Sequence, residues 1–152
     1  MNNGDLKSAI MEAMKAAMRS QEKDRLGTIR LIQAAMKQIE VDERKVLTDE
    51  EILAILDKMI RQRREAIKQF EAGQRLDLAQ KETAEIAVIQ EFLPEPLSDD
   101  QLRNLIKQTI QDTQAQSIRD MSKVMSQLKP KVQGRADMGE VGKLIKDLLT
   151  QQ

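Results

Sequence analysis

The chain has 152 residues, of which 40% are apolar, and this is enough to form one or two compact globular domains. Its 25 basic and 25 acidic side chains cancel, so the whole molecule exerts no long-range attraction on polyanions or anionic membranes. The sequence contains neither Cys nor His. Disulfides, thiolate metal sites and thiol nucleophiles are therefore excluded, as are the Ser-His and Cys-His pairs of many hydrolases.

Targeting and membrane signals are also missing from the sequence. No segment has the continuous apolar run of a secretory signal peptide or of a transmembrane helix. We therefore predict a cytoplasmic protein without a membrane partner. Because no group of metal-ligating side chains and no cofactor motif stands out, we predict no metal site, no cofactor and no catalytic residue.

Apolar residues recur at helical spacing along almost the whole chain, and good helix formers dominate, so the predicted fold is all-α. Thr48 and Glu51 have the spacing of a capping box that begins a third helix, and Gly73 is expected to end it. A fourth helix is predicted from about Leu76 to the segment 93–97, which contains two prolines and cannot continue a helix. We place a domain boundary there, with a four-helix domain at 1–94 and a tail domain at 95–152.

The tail is predicted to contain three short helices. Ser98 begins the fifth helix through a second capping box, and the sixth helix is expected from about Ile118. Pro130 is expected to interrupt the sixth helix because proline removes a backbone donor. Gly134 permits a left-handed turn, and Asp137 is expected to cap the last helix.

Several segments resemble the YqeY (GatB/YqeY) family, whose members share a tail with the B subunit of the tRNA-dependent amidotransferase. The tail carries the resemblance at 123–139, and the N-terminal part is similar at 14–18, 25–30, 59–64 and 85–94, so the match covers essentially the whole chain. The resemblance implies an all-helical two-domain fold. It also implies a tail that, in the amidotransferase subunit, contacts the tRNA body. Amidase chemistry belongs to other domains and subunits of that enzyme.

One tail segment departs from the overall neutrality of the chain. The segment from Lys123 to Arg135 contains no acidic residue and four basic ones, namely Lys123, Lys129, Lys131 and Arg135. Clustered cations bind a nucleic-acid backbone because they displace its counterions. The alternative interpretation is a solvated helix end, where the negative end of the helix dipole stabilises cations. Both interpretations stay open, and the segment is the candidate RNA-binding site.

A second basic run lies on the third helix, at Lys58, Arg61, Arg63, Arg64 and Lys68. Arg61, Arg63 and Arg64 are candidates for a secondary RNA-binding surface. We favour the alternative that this run pairs with the acidic stretch from Asp77 to Asp100, since opposite charges on adjacent helices commonly guide their packing.

Two further patterns have simpler explanations. A methionine stripe on the first helix, at Met11, Met14 and Met18, is typical of a partner groove but is more often explained by core filling. The S-x-x-K pattern of serine acyl enzymes occurs twice, at 20–23 and 126–129, without the other motifs such a site needs, so we regard it as coincidental.

Three hypotheses follow. The first is a non-catalytic RNA-associated protein that binds tRNA, or a tRNA-handling protein complex, through the tail. The second is a protein-interaction adaptor whose N-terminal helices present a groove or a charged face. The third, based on resemblance alone, is an accessory role in glutamine-dependent amidation of charged tRNA, a carbon-nitrogen ligase reaction.

Overall fold

The computed structural model describes residues 5–150, which form seven α-helices and one 3₁₀ turn and contain no strand. The predicted all-α fold is confirmed. The chain divides between Leu93 and Pro94 into two compact units, called here the N-terminal unit (5–93) and the tail unit (94–150). No helix in these residues has both the length and the apolar character needed to cross a membrane. The helices are α1 (Asp5–Arg19), α2 (Lys23–Glu43), α3 (Asp49–Ala72), α4 (Leu76–Gln90), α5 (Asp99–Thr113), α6 (Met121–Val132) and α7 (Met138–Thr150).

The N-terminal unit consists of two helical hairpins. Helices α1 and α2 pair with each other, α3 and α4 form the more extensive pair, α2 packs on α4, and α1 packs on α3. Apolar stripes at helical spacing supply the core between them because they place one face of each helix inward. Its fully buried members include Ile10, Ile29, Ile32, Leu56 and Ile89.

Polar contacts fix the start of α3 and tie it to α1. The predicted capping box is confirmed: the Glu51 N–H donates to Thr48 Oγ1 at 3.2 Å, and the Thr48 N–H donates to Glu51 Oε1 at 3.1 Å. The neighbouring Asp49 side chain is buried, and its Oδ1 accepts a hydrogen bond from the Leu6 N–H at 3.2 Å. Asp49 therefore satisfies a backbone donor in the first turn of α1.

The tail unit is a three-helix arrangement with its own core. Helix α5 packs on α6 and on α7, which also pack on each other. The second capping box is confirmed, since the Gln101 N–H donates to Ser98 Oγ at 3.1 Å. Asp137 Oδ2 accepts from the Glu140 N–H at 3.2 Å, so the predicted cap of α7 is also confirmed. The fully buried side chains of the tail unit are Ile106, Val124, Leu128, Val132, Val141 and Ile145.

Two predictions about the sixth helix are wrong. Residues Ile118–Asp120 form a 3₁₀ turn, so α6 begins at Met121. Pro130 lies inside α6, which continues to Val132. Because proline has no N–H, the helical hydrogen bond from residue 130 to the carbonyl of Ser126, an exposed residue, is not formed. Burial of Leu128 and Val132 favours keeping the last turn helical despite the proline.

Candidate nucleic-acid interface

Helix α6 presents a basic, acid-free surface. Its twelve residues include Lys123, Lys129 and Lys131 and no Asp or Glu, and all three lysines are exposed. The opposite face is fixed because Val124, Leu128 and Val132 are completely buried in the tail core. Since this stripe anchors the helix, the lysines must project into solvent.

The lysines do not all lie on one side of α6. At about 100° per residue, Lys123 and Lys131 are about 80° apart around the axis and about 12 Å apart along it. Lys129 lies about 160° from Lys131, across the buried stripe. The structure therefore brings Lys123 and Lys131 onto one flank, called here the α6 basic flank, and places Lys129 on the other.

Arg135 has a structural contact that the sequence did not predict. Its Nε donates to the Glu95 carbonyl at 3.0 Å, and its own carbonyl accepts from the Leu97 N–H at 2.9 Å. The left-handed Gly134, with φ 79°, allows the chain to turn from α6 toward this contact. Arg135 thus fastens the loop after α6 to the segment that enters the tail unit.

A carboxylate lies just before the basic flank. Asp120 Oδ2 accepts from the Gln116 N–H at 2.8 Å and from the Ser117 N–H at 3.4 Å. The Gln116 hydrogen bond is the main cause that lowers the pKa of Asp120, and the nearby Lys123 charge acts in the same direction. The Asp120 carboxylate therefore offsets part of the positive charge of Lys123.

Arg63, from the second basic run, is paired with carboxylates. Its Nε lies 2.8 Å from Glu85 Oε2 and 3.8 Å from Glu82 Oε2, both on α4. The favoured pairing of α3 with the acidic stretch is therefore observed at Arg63. Arg61 and Arg64 lie on exposed positions of α3.

Two other kinds of ligand site are relevant to the tail, a platform for unpaired bases and a metal site. Both aromatic residues, Phe70 and Phe92, belong to the N-terminal unit, so the tail has no platform for stacking unpaired bases. A groove of about 220 Å³ between α5 and α7 is lined by both signs of charge, including Arg103, Lys143 and Asp147. Among residues 5–150, no cluster of three acidic side chains could hold a metal ion.

Comparison with known proteins identifies the family. The model of a family described as Yqey-like protein matches residues 7–149. The chain belongs to this family. The resemblance seen in the sequence is therefore confirmed. An uncharacterized protein of Schizosaccharomyces pombe is 34% identical over 95 residues, which cover 62% of this chain and 77% of that protein.

Other relatives of this YqeY-like chain bear a mitochondrial name. The protein called altered inheritance of mitochondria protein 41, mitochondrial, of Pyrenophora tritici-repentis is 29% identical over 139 residues, or 90% of this chain and 76% of that protein. Its namesake in Candida glabrata is 38% identical over 88 residues, 57% of this chain and 48% of that protein.

Sequence reasoning missed a second surface, between α1 and α2. The core assignment of the methionine stripe is wrong for Met11 and Met18, which are 40% and 50% exposed. Apolar spacing alone does not distinguish a core position from one that borders a surface groove. A regular spacing of cations along α2 was the signal that could have identified this surface.

Proposed function

We propose that this YqeY-like protein is a non-catalytic RNA-associated protein that contacts tRNA, alone or within a tRNA-handling complex, through its tail unit. The observation that carries the proposal is the α6 basic flank, where Lys123 and Lys131 are exposed on a helix without acidic residues. Two cations about 12 Å apart along a rigid helix can contact two phosphates of one RNA strand. The cytoplasm is the proposed location.

Positive charge in the tail is concentrated around α6. From residue 94 to residue 150 the sequence has nine basic and eight acidic residues, but the segment 121–136 has four basic residues and no acidic one, which supports contact with a polyanion there. Because the tail has no aromatic residue, recognition depends on phosphates and on the shape of the folded RNA. Lys129 contacts RNA only if the RNA reaches both flanks of α6.

A tRNA-binding titration over a series of salt concentrations tests the proposal. Lys123→Ala with Lys131→Ala is expected to weaken binding and to reduce the slope of log K against log salt by about 1–2. The matched control is Lys143→Ala with Lys146→Ala, which removes the same charge from exposed positions of α7. Equal effects of the two pairs would show that only net charge matters, and unchanged binding by the first pair would exclude this surface.

The non-catalytic part of the proposal has a separate test. The sequence contains neither Cys nor His, so the Cys-His and Ser-His pairs that could attack the glutamine amide are absent. Purified full-length protein is therefore expected to release no ammonia from glutamine. Ammonia release that follows the protein through purification would contradict this part of the proposal and leave the tRNA contact to its own test.

A further inference from the structure

Basic residues occur at every seventh position of α2. They are Lys23, Arg30 and Lys37 within the helix and Arg44 at its C-cap, and all four are exposed. A seven-residue step rotates only about 20° around a straight helix, so Lys23, Arg30 and Lys37 lie within a stripe of about 40° that is about 21 Å long. Arg44 follows at the C-cap, where the backbone is left-handed and leaves the helical geometry. We call these four residues the α2 cation row.

The four side chains of the row form no ion pair with another described residue, whereas other cations of the N-terminal unit do, for example Lys7, Arg25 and Arg63. Regular spacing of unpaired charge along a full helix favours a partner with the same repeat.

An apolar groove of about 450 Å³ lies beside the row, between α1 and α2. Met11, Met36 and Val41 line it, with Lys37 at its edge. Met11 is 40% exposed and Val41 is 64% exposed, so apolar side chains are open to solvent there. The one acidic residue that lines the groove, Glu40, is paired with Lys7 at 2.9 Å, so its charge is already balanced.

We propose that the groove between α1 and α2 binds an acidic amphipathic helix of a partner protein. Apolar side chains of that helix would pack on Met11 and Val41, and carboxylates at seven-residue intervals would lie against the α2 cation row. This inference concerns the N-terminal unit and is independent of the proposed tRNA contact by the tail.

The dimensions of the groove favour a helix. On α2 the groove extends from Gln33 to Val41, which is about 12 Å along the axis. Anchors at i, i+3 or i+4, and i+7 of a bound helix span about 10.5 Å, so three of them fit this length. Methionine at the contact adapts to the shape of the inserted side chains.

Other anionic partners use these features less well. An RNA backbone gains nothing from an apolar groove, because its phosphates need cations alone. A bilayer surface contacts convex faces and does not require a seven-residue repeat, whereas this surface is concave and its cations repeat regularly. Only a helix uses the apolar groove and the repeat together.

The test uses the full-length protein and a fluorescent 21-residue synthetic peptide with leucines at heptad positions a and d and glutamates at e and g. We expect the peptide to bind and its affinity to fall about tenfold in the Arg30→Glu, Lys37→Glu double variant, because two attractions become repulsions. The matched control is Lys58→Glu with Lys68→Glu on exposed positions of α3, which is expected to bind normally. Amide chemical-shift changes should map to residues 7–44.

Several outcomes would overturn the inference. They are absence of peptide binding, equal binding by the two double variants, and shift changes outside residues 7–44. Loss of binding to phosphatidylglycerol vesicles or to tRNA in the Arg30→Glu, Lys37→Glu variant would assign the row to a membrane or to RNA. Concentration-dependent self-association that this variant abolishes would assign the groove to a second copy of the chain. Helical content measured by circular dichroism checks that both variants are folded.

Discussion

The contact of Arg63 with α4 allows a comparison of two carboxylates three residues apart. Arg63 and Glu85 have side chains 14% and 16% exposed, and their closest N–O distance is 2.8 Å. Glu82 is 25% exposed and its oxygen is 3.8 Å from the same nitrogen. We expect Glu85→Gln to destabilise the N-terminal unit by about 1–2 kcal/mol, because it replaces a charge-assisted hydrogen bond with a neutral one.

Glu82→Gln is the matched variant and is expected to have a small or stabilising effect at neutral pH. Burial, followed by the like charge of Glu85, raises the pKa of Glu82 from its ordinary value of 4.5. The folded protein therefore binds a proton at Glu82 more readily than the unfolded chain does, so this residue's contribution to stability falls as the pH rises through the folded pKa. The advantage of Glu82→Gln should be largest near pH 7 and disappear as the pH falls toward 4.5.

Hydrogen exchange of the native full-length protein measures both effects, with α3 and α4 as the reporting elements and α5–α7 as an internal reference. Glu85→Gln should accelerate exchange in α3 and α4 at pH 7, and Glu82→Gln should not. If the two variants accelerate exchange equally, Arg63 does not discriminate between its carboxylates. If neither variant accelerates exchange, the ion pair of Arg63 contributes no measurable free energy to stability.

Three other changes have defined expectations. Thr48→Ala removes the α3 cap and should cost about 1 kcal/mol in a denaturant titration, whereas Thr48→Ser should cost less. Gly134→Ala places a side chain at φ 79° and should destabilise the tail by about 1 kcal/mol, seen as faster exchange in α6. Arg135→Lys keeps the charge but loses the guanidinium Nε that donates to the Glu95 carbonyl. The stability of the tail should therefore fall while its affinity for tRNA persists. Reduced tRNA affinity with unchanged stability would instead assign Arg135 to RNA binding.

Local signals in the sequence were sufficient to predict the helices and most of their starts. Thr48, Ser98 and Asp137 each accept from the backbone N–H three residues further along, so a four-residue stretch of sequence contains the whole interaction. Gly134 was predictable because glycine, which has no Cβ, permits the left-handed turn that must follow the end of α6.

Contacts between distant residues were not predictable from these signals. The Leu6 N–H and Asp49 Oδ1 are 43 positions apart in the chain, and Arg135 and Glu95 are 40 apart. Pro130 remained helical because tertiary burial of Leu128 and Val132 outweighed a local rule. Arg44 ends α2 in a left-handed conformation, φ 52°, at a position where glycine or asparagine would have been the usual signal.

The candidate site was predicted as a list of cations and not as a surface. Lys123, Lys129, Lys131 and Arg135 are close in sequence, but helical geometry separates Lys129 from the other lysines and a backbone contact engages Arg135. Conversely, the cations of α2 are seven residues apart and escape a search for local runs, although this spacing aligns them on one face. Charge density along a chain is therefore a weaker guide to a surface than charge at the helical repeat.

The N-terminal unit and the tail unit have separate hydrophobic cores, so the surface of the tail is determined by the tail's own packing. All fully buried side chains of the tail, from Ile106 to Ile145, pack within the tail's own core cluster, and the N-terminal unit has a different cluster. The positions of Lys123 and Lys131 are thus determined by the burial of Val124, Leu128 and Val132 beside them. Because this stripe belongs to the tail alone, the same basic flank is expected on any protein that carries this tail sequence, and its contact with RNA can be tested independently of the α1–α2 groove.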